Sequence, residues 1–450
     1  MADMTDTVGQ LAHLPPGSGL KPSRGHAPAA PAPWQGLDSK WLLIGAPAAL
    51  VIWLSLVPLV FLLWQSFLTP QTAAVPARYT LDNFRTAYFS AETFRLFFNS
   101  VEFAIGAAAL SLGLGTVLAW MNERTNTPFK KLFFGLTIIP LVIPSILFTV
   151  SWHILASPRI GIINAVLQGL FSTDRVFVDV YTMAGMIWVD GLHYSPMAFL
   201  LMTAAFRAMD PALEESALMS GASVLAIARR ITLRLAWPAA AGALLILLVR
   251  AVESFEVPAL LGLPVGIHVY TSSIYQAIHQ YPSQVGLASA YAVTLLLMTS
   301  VGIYLQSRLS RQGSKFATVT GKGYRPRTID LGGWRYVTAG LFILYFIVIV
   351  LLPFLVLVWS SLQRFYSAPS WAALHRITFA SYQTILDYPG FVGIVRNSLF
   401  LALTTATLIM LLSAVIAWIV VRTKLPGRWL STIWLRCRWC SRAWCSACRS

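Results

Sequence analysis

Apolar positions in this chain neither alternate nor keep to one helical stripe; they run on for about twenty residues at a time with almost no charge between them. Eight such runs fall near 41–64, 99–121, 132–155, 181–202, 237–257, 287–305, 336–359 and 397–421. About 20 helical residues cover the ~30 Å hydrocarbon core of a bilayer, so each run predicts a spanning helix. Helices are expected because backbone groups facing lipid must be satisfied within their own segment. The fold class is therefore all-α, a polytopic membrane helical bundle.

The pattern repeats. Residues 80–132 match 378–430 without a gap at a constant offset of 298. Asn99-Ser100 returns as Asn397-Ser398, Ala119-Trp120 as Ala417-Trp418, Arg124-Thr125 as Arg422-Thr423, and Pro128 as Pro426; upstream, Pro58 and Trp64 return as Pro353 and Trp359. The chain thus divides into a tail at 1–40, a complete six-span unit at 41–309, a basic linker at 310–335 and a partial second unit at 336–430 that holds its first two spans. Both units start from the same side of the membrane.

Where the first unit continues into its third span, the second departs into Arg, Trp, Cys and Ser at 431–450. The spacing Cys437-x2-Cys440-x4-Cys445-x2-Cys448 admits a tetrahedral zinc reading. An abrupt change of composition inside a repeat is also what a shifted reading frame produces, and on that reading the second unit is truncated.

Composition sharpens the class. A chain that is 57% hydrophobic and 11% charged needs lipid as its solvent. Its net charge of +16 sits in short loops between apolar runs, the habit of cytoplasmic loops, which argues against nucleic acid as a partner. With the N-terminus in the cytoplasm, 20 Lys and Arg fall inside and 8 outside, with 4 more in the tail and Arg250 within a span. The loop 306–335 carries seven basic residues and the loop 258–286 none, so the two are expected on opposite faces. The first forty residues, rich in Pro, Ala and Gly, read as a disordered cytoplasmic tail without a signal peptide.

One inside loop is patterned as two short helices. Asp210 caps the first, with Pro211 at its first position and Gly221 to end it; Ser223 caps the second. In the second, Val224, Ala228, Ile231 and Leu235 recur at helical spacing beside Arg229, Arg230 and Arg234. Glu215-Ser216-Ala217, Gly221 and Ile231-Thr232-Leu233 resemble the cytoplasmic loop of binding-protein-dependent ABC importer permeases, Glu-Ala-Ala, three residues, Gly, nine residues, Ile-x-Leu-Pro. Ser216 replaces the first Ala, and Arg234 stands at the usual Pro position, with Pro238 four residues on. The resemblance implies that Glu215, Ser216, Ala217, Gly221, Ile231 and Leu233 couple the permease to ATPase subunits. The bland alternative is an amphipathic pair that only anchors the loop at the membrane surface.

The stretches Glu253 to Pro258 and Gly262-Leu263-Pro264, with Gly321-Lys322-Gly323-Tyr324-Arg325-Pro326-Arg327 in the linker, look like the fused permeases of the ferric iron importer subgroup. That subgroup also includes permeases for thiamine, polyamines and phosphonates. The resemblance implies an inner-membrane subunit that is not itself an enzyme, fed by an extracytoplasmic solute-binding protein and driven by ATP on a partner. The chain contains no Gly-x4-Gly-Lys-Ser/Thr pattern with which to hold nucleotide, and no cofactor of its own is expected. A second coupling loop would fall near position 513 by the offset, beyond Ser450, so association with a second copy and a non-functional fragment are both open.

Charged residues within spans cost roughly 2.5–3.5 kcal/mol each on insertion scales, so they should face a cavity or one another. Arg250, Glu253 and Glu256 are expected along one face of the fifth span, and Asp190 with His193 in the fourth. They read equally as the lining of a translocation path or as a local ion pair between spans, and their spread over two helices does not form a metal site. A secondary transporter driven by an ion gradient is the competing class, since it too shows repeats and buried charges.

Overall fold

The computed structural model describes residues 39–72, 76–210, 212–313, 328–365, 367 and 371–422. The 1–38 part of the N-terminal tail, linker residues 314–327 and the Cys-rich stretch at 431–450 lie outside the described residues. The chain is all-α, and the only extended pairings among the described residues are isolated bridges at Leu68–Tyr79 and Thr125–Ile329.

The helices are α1 (Ser39–Gln65), α2 (Asp82–Phe89), α3 (Ala91–Arg124), α4 (Lys130–Ile138), α5 (Ser145–Ala156), α6 (Ile162–Phe171), α7 (Met183–Ala208), α8 (Ala212–Met219), α9 (Val224–Ile227), α10 (Leu233–Glu253), α11 (Tyr270–His279) and α12 (Val285–Gly313). They are followed by α13 (Trp334–Phe346), α14 (Leu352–Ser361), α15 (Trp371–Leu374), α16 (Ala380–Leu386) and α17 (Phe391–Arg422). Wide π turns at Ala228–Thr232 and Ile347–Leu351 join α9 to α10 and α13 to α14, so each pair runs as one rod.

Among the described residues five helical segments are long and apolar enough to span a bilayer: Ala91–Arg124, Val224–Glu253, Val285–Leu309, Trp334–Ser361 and Phe391–Val415. The pair α4–α5 makes a sixth only if it is taken as one span, because its halves meet at 97°. A straight helix over 132–155 is therefore corrected to a bent one. Pro140 and Pro144 lack the N–H that would continue the ladder, and Ile143, which precedes a proline, is pushed to an extended backbone with φ −75° and ψ 123°.

At the centre lies α7, which has spanning length at 26 residues but carries Asp190 and His193 and so falls short on apolarity. Its neighbours are protein more than lipid: Met186, Val189, Phe199, Met202 and Phe206 are all buried. Small residues bring α3 against it. A Cβ on Gly115 would collide with Ala198 and the backbone nitrogen of Phe199, and Ser111 donates to the carbonyl of Gly191 at 2.8 Å. Close backbone approach of this kind supplies packing between helices where lipid removes the hydrophobic drive.

The two ends of the bundle are distinct. At one, Asn99 donates to the carbonyl of His268, and Asn83 to those of Ser66 and Leu68. At the other, Ile329 donates its N–H to the carbonyl of Arg124 at 2.9 Å. The loop 258–286 leads into α12 at one end, and the described start of the basic loop leaves it at the other. The short helix α2 followed by the long α3 recurs as α16 followed by α17, at the offset the sequence shows.

Candidate functional site

The loop between α7 and α10 is built largely as its residues dictate. Asp210 accepts the N–H of Ala212 at 2.9 Å and so caps α8. At the far end Ala222 donates to the carbonyl of Ala217 and Gly221 to that of Leu218, both at 3.0 Å, with Gly221 at φ +81°. This is a Schellman stop, and it requires the left-handed backbone that glycine adopts freely. Ser223 then caps α9 through the N–H of Ala226 at 3.4 Å.

The second short helix differs from expectation: α9 does not end but passes through the π turn into α10. With Arg at 234 in place of Pro, the chain keeps an N–H there and the helix continues; Pro238 lies inside α10. Val224, Ala228 and Ile231 are half-buried, Leu233 and Leu235 exposed. The outward apolar groups of the loop are instead Leu213, Met219 and Leu225, with Met219 87% exposed. Around them Ser216, Ser220 and Gly221 are exposed, Glu215 and Ala217 half-buried.

The neighbour of Glu215 was missed. Glu214 turns inward and is buried, accepting from Thr232 Oγ1 at 2.7 Å and facing Arg124 Nε at 3.5 Å. That nitrogen is within ion-pair range but outside hydrogen-bond geometry. Arg124 Nη2 donates to the carbonyls of Phe206 at 2.9 Å and Met209 at 3.2 Å, at the C-terminal end of α7 where a cation is favoured. Nearby, Arg207 donates to both carboxylate oxygens of Glu123, at 3.0 and 2.9 Å. The sequence held one clue to Arg124: it is among the residues the repeat preserves, as Arg422.

Deep in the bundle, the charged residues pair only in part as their spacing implied. Asp190 accepts from Ser254 Oγ at 2.7 Å and not from His193, whose ring packs between those of Phe148 and Tyr194. Arg250 and Glu253 do form the ion pair their i,i+3 spacing allows, a long one at 3.9 Å. Glu256 leaves their face because α10 stops at Glu253: Ser254 is extended, with φ −62° and ψ 128°, and its carbonyl is taken by Thr271 Oγ1 at 2.7 Å. A broken helix whose free groups are satisfied by side chains is tolerated at membrane depth where protein surrounds it. Among the described residues no group of three or more His, Cys, Asp or Glu is placed to hold a metal ion.

Residues 111–314 match the model of the family described as "binding-protein-dependent transport system inner membrane component". The chain is 25% identical over 340 residues to the ferric transport system permease protein FbpB of Actinobacillus pleuropneumoniae, covering 72% of this chain and 46% of that protein. It is 25% identical over 238 residues to a putative 2-aminoethylphosphonate transport system permease protein of Salmonella typhi, covering 51% of this chain and 78% of that one. A solved bacterial ABC transporter involved in import of the polysaccharide alginate aligns at 21% identity and TM-score 0.49, covering 61% of this chain and 96% of that chain. The chain spans about half the length of the ferric permeases it matches. The family match takes in α7, the loop with its glycine stop, and α10, and residues 111–314 are thus similar to the binding-protein-dependent transport system inner membrane components.

Proposed function

We propose that this chain is the membrane permease of an ATP-driven importer, receiving a solute from an external binding protein and gated by separate ATPase subunits through the loop around Glu215. The observation that carries the reading is α8 itself. It ends in a Schellman stop at Gly221, it presents Leu213, Ser216 and Met219 outward, and it lies within the family match. Small residues let a partner approach closely, and the exposed apolar groups give it something to bury. ATP belongs to the partner in this reading, and the N-terminus and the loop face the cytoplasm, as the basic loops favour.

Ferric iron is the cargo we favour, supported by the ferric permeases among the relatives; phosphonate is the alternative that the other named relative supports, with thiamine and polyamines behind it. Asp190, His193, Arg250, Glu253 and Glu256 are the groups we assign to the translocation path. The test is co-purification with the co-expressed ATPase subunit. Glu215→Lys reverses a charge on the docking face. Gly221→Asp puts a side chain into open space while using a residue that tolerates positive φ better than most. Each is expected to cut recovery of the ATPase at least fivefold, and undiminished recovery with both would end the assignment.

A further inference from the structure

The outward face of α8 accounts for docking but not for what happens after it, because a docked helix that moved freely would drive nothing. Its backbone leaves the helical path on both sides. Before it, Met209 leaves α7 extended at φ −87° and ψ 138°; after it, the chain turns through Gly221 at φ +81°. A helix hung between two such turns transmits force through its side chains.

On the inward face Glu214 makes such a connection. We propose that Glu214 and Arg124 form a strut that passes displacement of α8 to the ends of α3, α7 and α10, so that they are positioning residues for the transport cycle and not docking residues. Both are buried, at 3% and 4% exposure. Arg124 is the last residue of α3, and its Nη2 is shared between the carbonyls of Phe206 in α7 and Met209 beyond it. Glu214 reaches Arg124 with one oxygen and Thr232, the residue before α10, with the other. Four helix ends thus meet at two side chains.

The same elements meet again at the other end of the connection. Asp190 belongs to α7, and Ser254, which donates to it, is the residue at which α10 breaks. A shift of α8 held rigidly to α7 and α10 therefore reaches the one place where the fifth span is discontinuous. Coupling travels through rigid elements to places that can rearrange, and the break at Ser254, at the far end of α10 from the strut, is the place this proposal assigns to that change.

The inference rests on the permease reading, and its test separates the two. The full chain is reconstituted in vesicles with its co-expressed ATPase subunit, as wild type, Glu214→Gln, Thr232→Val, and the exchange of Arg124→Glu with Glu214→Arg. A cysteine is introduced at Leu263, on the side away from the loop, and its labelling by a membrane-impermeant maleimide is followed peptide by peptide with and without ATP. Recovery of the ATPase subunit is measured in parallel.

Glu214→Gln is expected to keep ATPase recovery within twofold of wild type while the ATP-driven change in labelling falls at least fivefold. Thr232→Val, which removes one bond and leaves the charges, should fall by about half, and the charge exchange should restore more of the response than Glu214→Gln retains. An unchanged ATP response in both Glu214→Gln and Thr232→Val overturns the strut. So does a loss of ATPase recovery in proportion to the loss of response, which would make the pair part of the loop's fold. A wild-type chain that binds no ATPase overturns the permease reading, and the strut with it.

Discussion

At the scale of single residues, two adjacent positions show how much is decided by which way a side chain turns. Glu214 and Glu215 are the same residue type one step apart on α8, yet the first is buried against Arg124 and the second is half-exposed. Breaking a buried pair by removing one partner leaves an uncompensated charge, a loss of about 3–5 kcal/mol in general, whereas an exposed carboxylate costs little to remove. Gly221 is limiting for a different reason: a Cβ there meets nothing within 4 Å, so its requirement is backbone conformation alone. Replacement by Ala is expected to lower stability by about 1 kcal/mol and by Asn by roughly half of that, since Asn enters the left-handed region more easily. Thermal unfolding in detergent checks the order, and equal losses for Ala and Asn would contradict a purely conformational role.

At the scale of elements, α3 carries a contrast that separates contact from propensity. Gly115 lies where α3 meets α7, and an added methyl would collide with Ala198 and with backbone; Gly113, two residues earlier, has open space. Gly113→Ala is expected to stabilise by roughly 0.5–1 kcal/mol, the ordinary gain of Ala over Gly within a helix. Gly115→Ala should destabilise by about 1–3 kcal/mol, because the helices must part. Opposite signs in detergent melting curves are the signature sought.

The sequence made several elements legible. The apolar runs located the long helices, and Asp210, Gly221 and Ser223 located the loop's caps and stop, because these are local effects of residue type. It was silent where partners decide. Spacing put Arg250, Glu253 and Glu256 on one face, but Ser254 finds Asp190 and Thr271 and the helix breaks first. Nor could it tell that Arg234 would let α9 run on into α10. The bend at Ile143 was readable in Pro140 and Pro144, and a count of apolar residues passed over them.

At the scale of the whole molecule, the question is what holds α13 and α14 to the helices before them, given that residues 314–327 connect the two parts. A seam does so. Asn126 donates to Asp330 and accepts the N–H of Leu331 at 3.1 Å; the hydroxyls of Thr127 and Thr338 meet at 2.8 Å and those of Ser195 and Tyr345 at 2.9 Å; the rings of Phe133 and Phe342 stack 5.0 Å apart. Along α13 the contacts follow one another from Thr338 through Phe342 to Tyr345, and the hydroxyls have no counterpart in lipid. A protease site placed within 314–327 should therefore leave the two pieces together in mild detergent after complete cleavage. Hydrogen bonds between membrane helices contribute about 0.6–2 kcal/mol each. Asn126→Ala combined with Thr338→Val should thus raise the dissociated fraction roughly tenfold, the equivalent of ~1.4 kcal/mol. Size-exclusion chromatography of the cleaved protein reads this directly. Separation of the unsubstituted pieces on cleavage would mean that the covalent connection, and not the seam, joins them.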